Sequence, residues 1–164
     1  MKNFLEILDK EYLPIDLFTF KWRFTDPKYN VLPKDKLLKI TPLRKEFALK
    51  IYEYLKPFLK DFQLDDNGFY EVQELSHAHT SAITRQWLSE RIFNENTKII
   101  VSWDQETCVV VQAEVFCEYW DDFCYEGSDD VTMIPLCGDW VMCYSHGDDF
   151  QFGRNFEPVR RDEN

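Results

Sequence analysis

Between Lys98 and Arg154 lie 55 residues without a lysine or arginine, and the same stretch holds 12 aspartates and glutamates. Residues 1–60 carry 13 basic and 8 acidic side chains, a net of +5, while 61–164 carry 6 and 22, a net of −16; together these give −11. An acidic half without basic residues repels nucleic acid and anionic membrane and attracts basic proteins. The aromatic residues that a single-strand binder uses are present, but the lysines and arginines that should interleave with them are not, so a nucleic-acid partner is excluded. No apolar run approaches the length that spans a bilayer, which excludes a membrane partner. The first residues, MKNFLEILDKEYLP, place Glu6, Asp9 and Glu11 where a signal peptide needs an apolar core, so a cytoplasmic location is expected.

Chemistry-bearing motifs are missing too. There is no GxSxG, P-loop, GxGxxG or HExxH, and no enzymatic activity or cofactor is expected. The five cysteines, 108, 117, 124, 137 and 143, are odd in number and form no CxxC pair, which points to reduced, buried thiols. On a strand, Cys143 and His146 face opposite sides, so they make no thiol–imidazole pair. The acidic run 121–130 does not fit a calcium-binding EF-hand loop. His77 and His79 in SHAHT share a face if extended, and with His146 or a cysteine they have the donors for zinc, but nothing in the chain draws them together. No metal site is expected.

What is present is a chain of 164 residues, 16% aromatic, long enough to bury one core. It is expected to form one α+β domain over 1–156, with a loose tail at 157–164. Residues 2–9 can form a short helix and 34–39 a further turn or two. Thr41-Pro42 reads as a helix cap followed by proline at the first helical position. The stripe Leu43, Phe47, Ile51, Tyr54, Leu55 and Phe58 then predicts a helix that Pro57 kinks or ends. A second helix follows Thr80 or Ser81, with Ile83, Trp87 and Arg91/Ile92 at helical spacing. From Thr97 the pattern turns to strands: KIIVSWD, CVVVQA, VTMIPL, DWVMCYSH and DFQFGR, with FYEVQEL at 69–75 as a possible sixth. Helices packed on a mostly antiparallel sheet of about five strands are the expected architecture, with one helix inserted between strands at 114–124.

That inserted segment holds the densest acids, EYWDDFCYEGSDD. On a helix, Phe116, Tyr119, Trp120 and Phe123 form a core stripe, and Glu114, Glu118, Asp121, Asp122 and Tyr125 take the opposite side. Like charges at this spacing cost about 0.2–0.5 kcal/mol per pair. Glu118, Asp121, Asp122, Tyr125, Glu126, Asp129 and Asp130, with Asp148 and Asp149, are therefore the candidate partner-binding residues: an outward acidic surface for a basic protein.

Around these residues, SWDQETCVVVQAEVFCEYWDDFCYEGSDD and DWVMCYSHGDDFQFGR have the look of a signature. The whole profile is small, acidic, tryptophan-rich, α+β and free of catalytic motifs. It resembles the immunity proteins of bacterial toxin systems, of the contact-dependent inhibition and polymorphic-toxin types. The resemblance implies a cytoplasmic inhibitor that buries the active site of a cognate toxin domain, often a basic nuclease. It transfers no functional residue. The competing readings are a small enzyme or metal protein using His77, His79 or the 118–130 carboxylates, and an accessory domain without a tight partner.

Overall fold

The computed structural model describes residues 8–78, 81–92, 97–136 and 139–156, so most of the expected 2–9 helix, Thr80 and the 157–164 tail lie outside the described residues. In chain order the elements are α1 (Trp22–Thr25), β1 (Asn30–Val31), α2 (Lys34–Leu37), β2 (Ile40–Pro42) and α3 (Lys45–Leu55). A two-residue hairpin of β3 (Leu59–Lys60) and β4 (Gln63–Leu64) follows, then β5 (Phe69–Leu75) and α4 (Ser81–Ile92). The remainder is β6 (Lys98–Ser102), β7 (Cys108–Gln112), α5 (Ala113–Glu118), α6 (Trp120–Phe123), β8 (Val131–Pro135), β9 (Trp140–Ser145) and β10 (Asp149–Phe156).

Among the described residues, seven strands form one sheet in the order β2-β7-β6-β8-β9-β10-β5, with antiparallel pairing throughout. This is the α+β architecture expected. The five strands after Thr97 and the strand at 69–75 are all present, and β2 adds a further edge. The sheet is covered on both sides. Ile99, Val101, Val109, Val111 and Met133 pack with Leu88 and Ile92 of α4 and with Phe116, Trp120 and Phe123 of α5 and α6. Ile100, Val110, Ile134 and Val141 pack with Phe47, Ile51 and Leu55 of α3. Two covered faces explain why CVVVQ reads as an unbroken apolar run. At the far edge, Gly153 of β10 meets the Phe69 ring of β5: a Cβ there would sit 2.3 Å from a ring carbon.

Two local expectations are corrected. Thr41 and Pro42 do not cap α3; they pair with Val110 and Val109 as part of edge strand β2, and α3 begins at Lys45. Burial of Ile40 and Pro42 wins over capping, and an edge strand tolerates a residue without an N–H. The 114–124 helix is broken in two: Tyr119, at φ −120° and ψ 29°, separates α5 from α6. The break resets the helical phase, so that Phe116, Trp120 and Phe123 are all buried while Asp122 also turns inward. A smaller shift occurs on α4, where Thr84, Leu88 and Ile92 face the core and Ile83 is exposed.

Candidate functional site

The acids of the inserted segment look unbalanced in sequence, yet the N-terminal third runs back along them and supplies partners in reverse order. Lys39 pairs with Glu114, and Lys36 Nζ lies 2.7 Å from Glu118. Asn30 Nδ2 donates to Asp122 Oδ2 at 2.7 Å, and Arg23 grips Asp129 through Nη1 at 2.5 Å and Nη2 at 3.0 Å. Acids 114, 118, 122 and 129 thus meet residues 39, 36, 30 and 23, a ladder of intramolecular contacts across the segment.

The carboxylates of the last two rungs are buried. Asp122 is 7% exposed; burial, with the neighbouring Asp121 charge, pushes its carboxyl up to about 6 against the lowering effect of the Asn30 bond. Asp129, also 7% exposed, accepts from the Tyr125 N–H and the Ser128 hydroxyl besides Arg23. The Arg23 guanidinium, in turn, lies over Tyr125 at 4.3 Å and Phe20 at 4.5 Å, with Trp22 and Trp103 within 6 Å. An ion pair enclosed this way is a structural clamp: breaking it would leave an uncompensated charge in a dry site.

The nine candidate residues therefore divide. Asp122, Asp129 and Asp148 are corrected from outward surface to interior. Asp148 is buried at φ 66° and accepts from the Tyr144 hydroxyl at 3.1 Å. Tyr125 is half-buried beside Arg23, and Asp149 accepts from the His77 N–H. Glu118 is exposed but paired. Asp121 and Glu126 are exposed with no ion-pair partner among the described residues, and Asp130 is half-buried against His146.

His77 is exposed at φ 58°, and His79 lies outside the described residues. Among the described residues no group of three His, Cys, Asp or Glu is placed to hold a metal. Burial pushes the Cys108, Cys117 and Cys143 thiols up to about 12. Protonated thiols of this kind are poor nucleophiles. No helix among the described residues is long and apolar enough to cross a membrane.

The acids that face a usable cavity lie elsewhere. A groove of about 770 Å³ opens between the end of α3, the β3–β4 hairpin, the β6–β7 turn and the start of β8. Tyr52, Phe62 and Trp103 give it aromatic walls; Asp61, Asp104, Glu106 and Asp130 give it carboxylates; Lys56 is its one lining cation. Glu106 is met from outside by Lys45 at 2.5 Å. Asp61 and Asp104 have no ion-pair partner among the described residues, and Asp104 instead accepts the Glu106 N–H at 2.7 Å to close its turn. The Asp130 carboxylate is held by the N–H and ring nitrogen of His146, at 3.1 and 2.9 Å.

Two groove residues are hard to account for by folding alone. Asp61 and Phe62 form the two-residue turn of the β3–β4 hairpin, at φ 50° and 67°. Such turns favour Asn and Gly, because a left-handed backbone conformation costs other residues about 1–2 kcal/mol. Phe62 holds that conformation while 60% exposed. Ser102, 3% exposed on the groove floor, has a hydroxyl oxygen with no hydrogen-bond partner among the described residues. Strained backbone and unsatisfied buried polar atoms concentrate where a protein meets a ligand. Trp103 is fixed: its indole N–H donates to the Phe123 carbonyl at 2.9 Å, and its ring stacks on Phe123.

Of the groove carboxylates, the sequence pattern singled out only Asp130. Asp61 and Phe62 are silent in sequence because phenylalanine does not announce a left-handed turn, and Ser102 and Asp104 read as ordinary strand and turn residues. No protein-family model, curated protein or solved structure matches the chain.

Proposed function

We propose that the protein is an inhibitory protein-binding module, a cytoplasmic immunity protein that neutralises a basic cognate toxin domain, and that the partner docks on the groove. The observation that carries this reading is the coexistence, in one open cavity, of two carboxylates without an ion-pair partner among the described residues, Asp61 and Asp104, and an exposed phenylalanine held in a disfavoured backbone conformation. Carboxylates left without internal cations accelerate and select a basic partner, and aromatic walls supply the contact energy. Along 114–129 the chain engages Glu114, Glu118, Asp122 and Asp129 with its own Lys39, Lys36, Asn30 and Arg23, whereas Asp61 and Asp104 have no ion-pair partner among the described residues.

The test is co-expression with the toxin encoded beside this chain's gene. The intact protein is expected to protect cells and to bind with an affinity that falls as salt rises. Asp61→Lys/Asp104→Lys is expected to lose protection while remaining folded. Protection and affinity unchanged by that double reversal would overturn the assignment of the groove.

A further inference from the structure

We infer that the groove is an arginine receptor: it takes the guanidinium of a partner protein's arginine side chain, between the aromatic walls and the carboxylates of Asp104 and Asp130. This rests on the protein-binding reading above and names the chemical group that reading leaves open.

Three observations converge on a guanidinium. First, the carboxylates come from separate elements, Asp61 from the hairpin, Asp104 from the β6–β7 turn and Asp130 from the approach to β8. They form a spread acceptor field, which suits a planar group with five donors better than a point charge. Second, Trp103 and Phe62 bring aromatic surface beside those acceptors, and a guanidinium both stacks on rings and donates in its own plane. Third, Ser102, which lines the groove, is 3% exposed and its hydroxyl has no partner among the described residues, an unsatisfied buried polar group of the kind that gathers where a protein meets a ligand.

The molecule already contains this recognition once. Arg23 lies among Phe20, Trp22, Tyr125 and Trp103, with Asp129 gripping its guanidinium. Trp103 takes part in that internal site and lines the groove, and Asp129 and Asp130 are consecutive. The internal arginine and the inferred incoming one share a tryptophan and adjacent carboxylates. At about 770 Å³ the groove exceeds one side chain, so the arginine would enter with flanking backbone of its own chain.

The probe is a short peptide, acetyl-Gly-Arg-Gly-Arg-Gly-amide, titrated into the full chain while amide and indole N–H resonances are followed. Saturable shifts are expected at Phe62, Trp103 and Thr132. The citrulline analogue, isosteric but uncharged, should produce none, and the lysine analogue should bind about fivefold or more weakly because it cannot fork or stack as well. Asp61→Asn/Asp104→Asn, at exposed positions where folding is not at stake, should weaken the arginine peptide about tenfold. Asp121→Asn/Glu126→Gln, exposed acids outside the groove lining, should leave it within about twofold.

Equal binding of the citrulline peptide, shifts centred away from the groove, or equal losses in the two variant pairs would overturn the inference. The outcome separates from that of the functional proposal. Groove binding of the peptide with no protection against a toxin sinks the inhibitor reading alone. Protection that survives the groove substitutions takes the docking site off the groove, and the arginine receptor with it, and leaves the inhibitor reading standing.

Discussion

The ladder along residues 114–129 and the groove beside Phe62 are built from the same residue types and do opposite things. In the ladder, every acid from Glu114 to Asp129 that turns toward the N-terminal third finds a lysine, an asparagine or an arginine from it. In the groove, Asp61 and Asp104 have no ion-pair partner among the described residues, Lys45 acts on Asp104 only from beyond contact, and Asp130 finds a histidine that is charged only when protonated. Carboxylate density in a sequence therefore does not mark a binding surface. What marks one is density that the fold leaves uncompensated, next to a residue in a conformation the fold alone would not select.

The largest effect should come from the ladder's buried rung. Arg23→Ala leaves Asp129 charged and enclosed, and is expected to cost about 3–5 kcal/mol in chemical denaturation. Arg23→Lys should recover only part of this, since lysine cannot grip both carboxylate oxygens. A cost below about 1 kcal/mol for Arg23→Ala would reduce the clamp to a surface pair and blur the distinction between the regions.

Next is Asp122. Its carboxyl titrates near 6 in the folded chain against 3.8 as its ordinary value. Between those values the folded state holds more proton than the unfolded one, so stability falls as pH rises from about 4 to about 6 and then stays flat. Asp122→Asn keeps an acceptor for Asn30 and removes the titration. It is expected to gain about 2 kcal/mol on the native protein at pH 7 and little at pH 4, read as thermal midpoints at both values. A gain of the same size at both would mean that the Asp122 charge is not what burial penalises.

A third effect, on the groove side, has the sign expected of a functional residue. Phe62→Gly relieves the left-handed backbone and should raise stability by about 1 kcal/mol. The same change should weaken the arginine peptide, because a stacking surface is lost. Loss of stability instead would make Phe62 part of the packing. Smallest of all, Lys36→Ala and Lys39→Ala break exposed or half-exposed pairs and should each cost under about 1 kcal/mol, shrinking further in high salt.

The sheet was legible because period-two and continuous apolar runs are set by which faces are covered, and both faces of this sheet are. The α3 stripe was legible for the same reason at helical period. The acidic segment misled in two ways. Helical projection assumes an unbroken helix, and the break at Tyr119 turns Asp122 inward. Charge reading along the chain also sees only local neighbours, whereas Arg23 and Asp129 are 106 residues apart. The groove was barely legible: its walls come from three separate stretches, and its most telling feature is a backbone angle at Phe62 that no side-chain pattern encodes.

The distinction between the regions can be tested without any partner, by comparing denaturation midpoints of Asp129→Asn and Asp61→Asn/Asp104→Asn with the native chain. Asp129→Asn should lose about 3 kcal/mol or more, because it leaves Arg23 buried and unpaired. The groove pair should lose nothing, and should gain a few tenths of a kcal/mol as like charges are relieved (about 0.2–0.5 kcal/mol at most). A groove pair that destabilises as much as Asp129→Asn would contradict the account, since its carboxylates would then be holding the fold together rather than waiting for a basic partner.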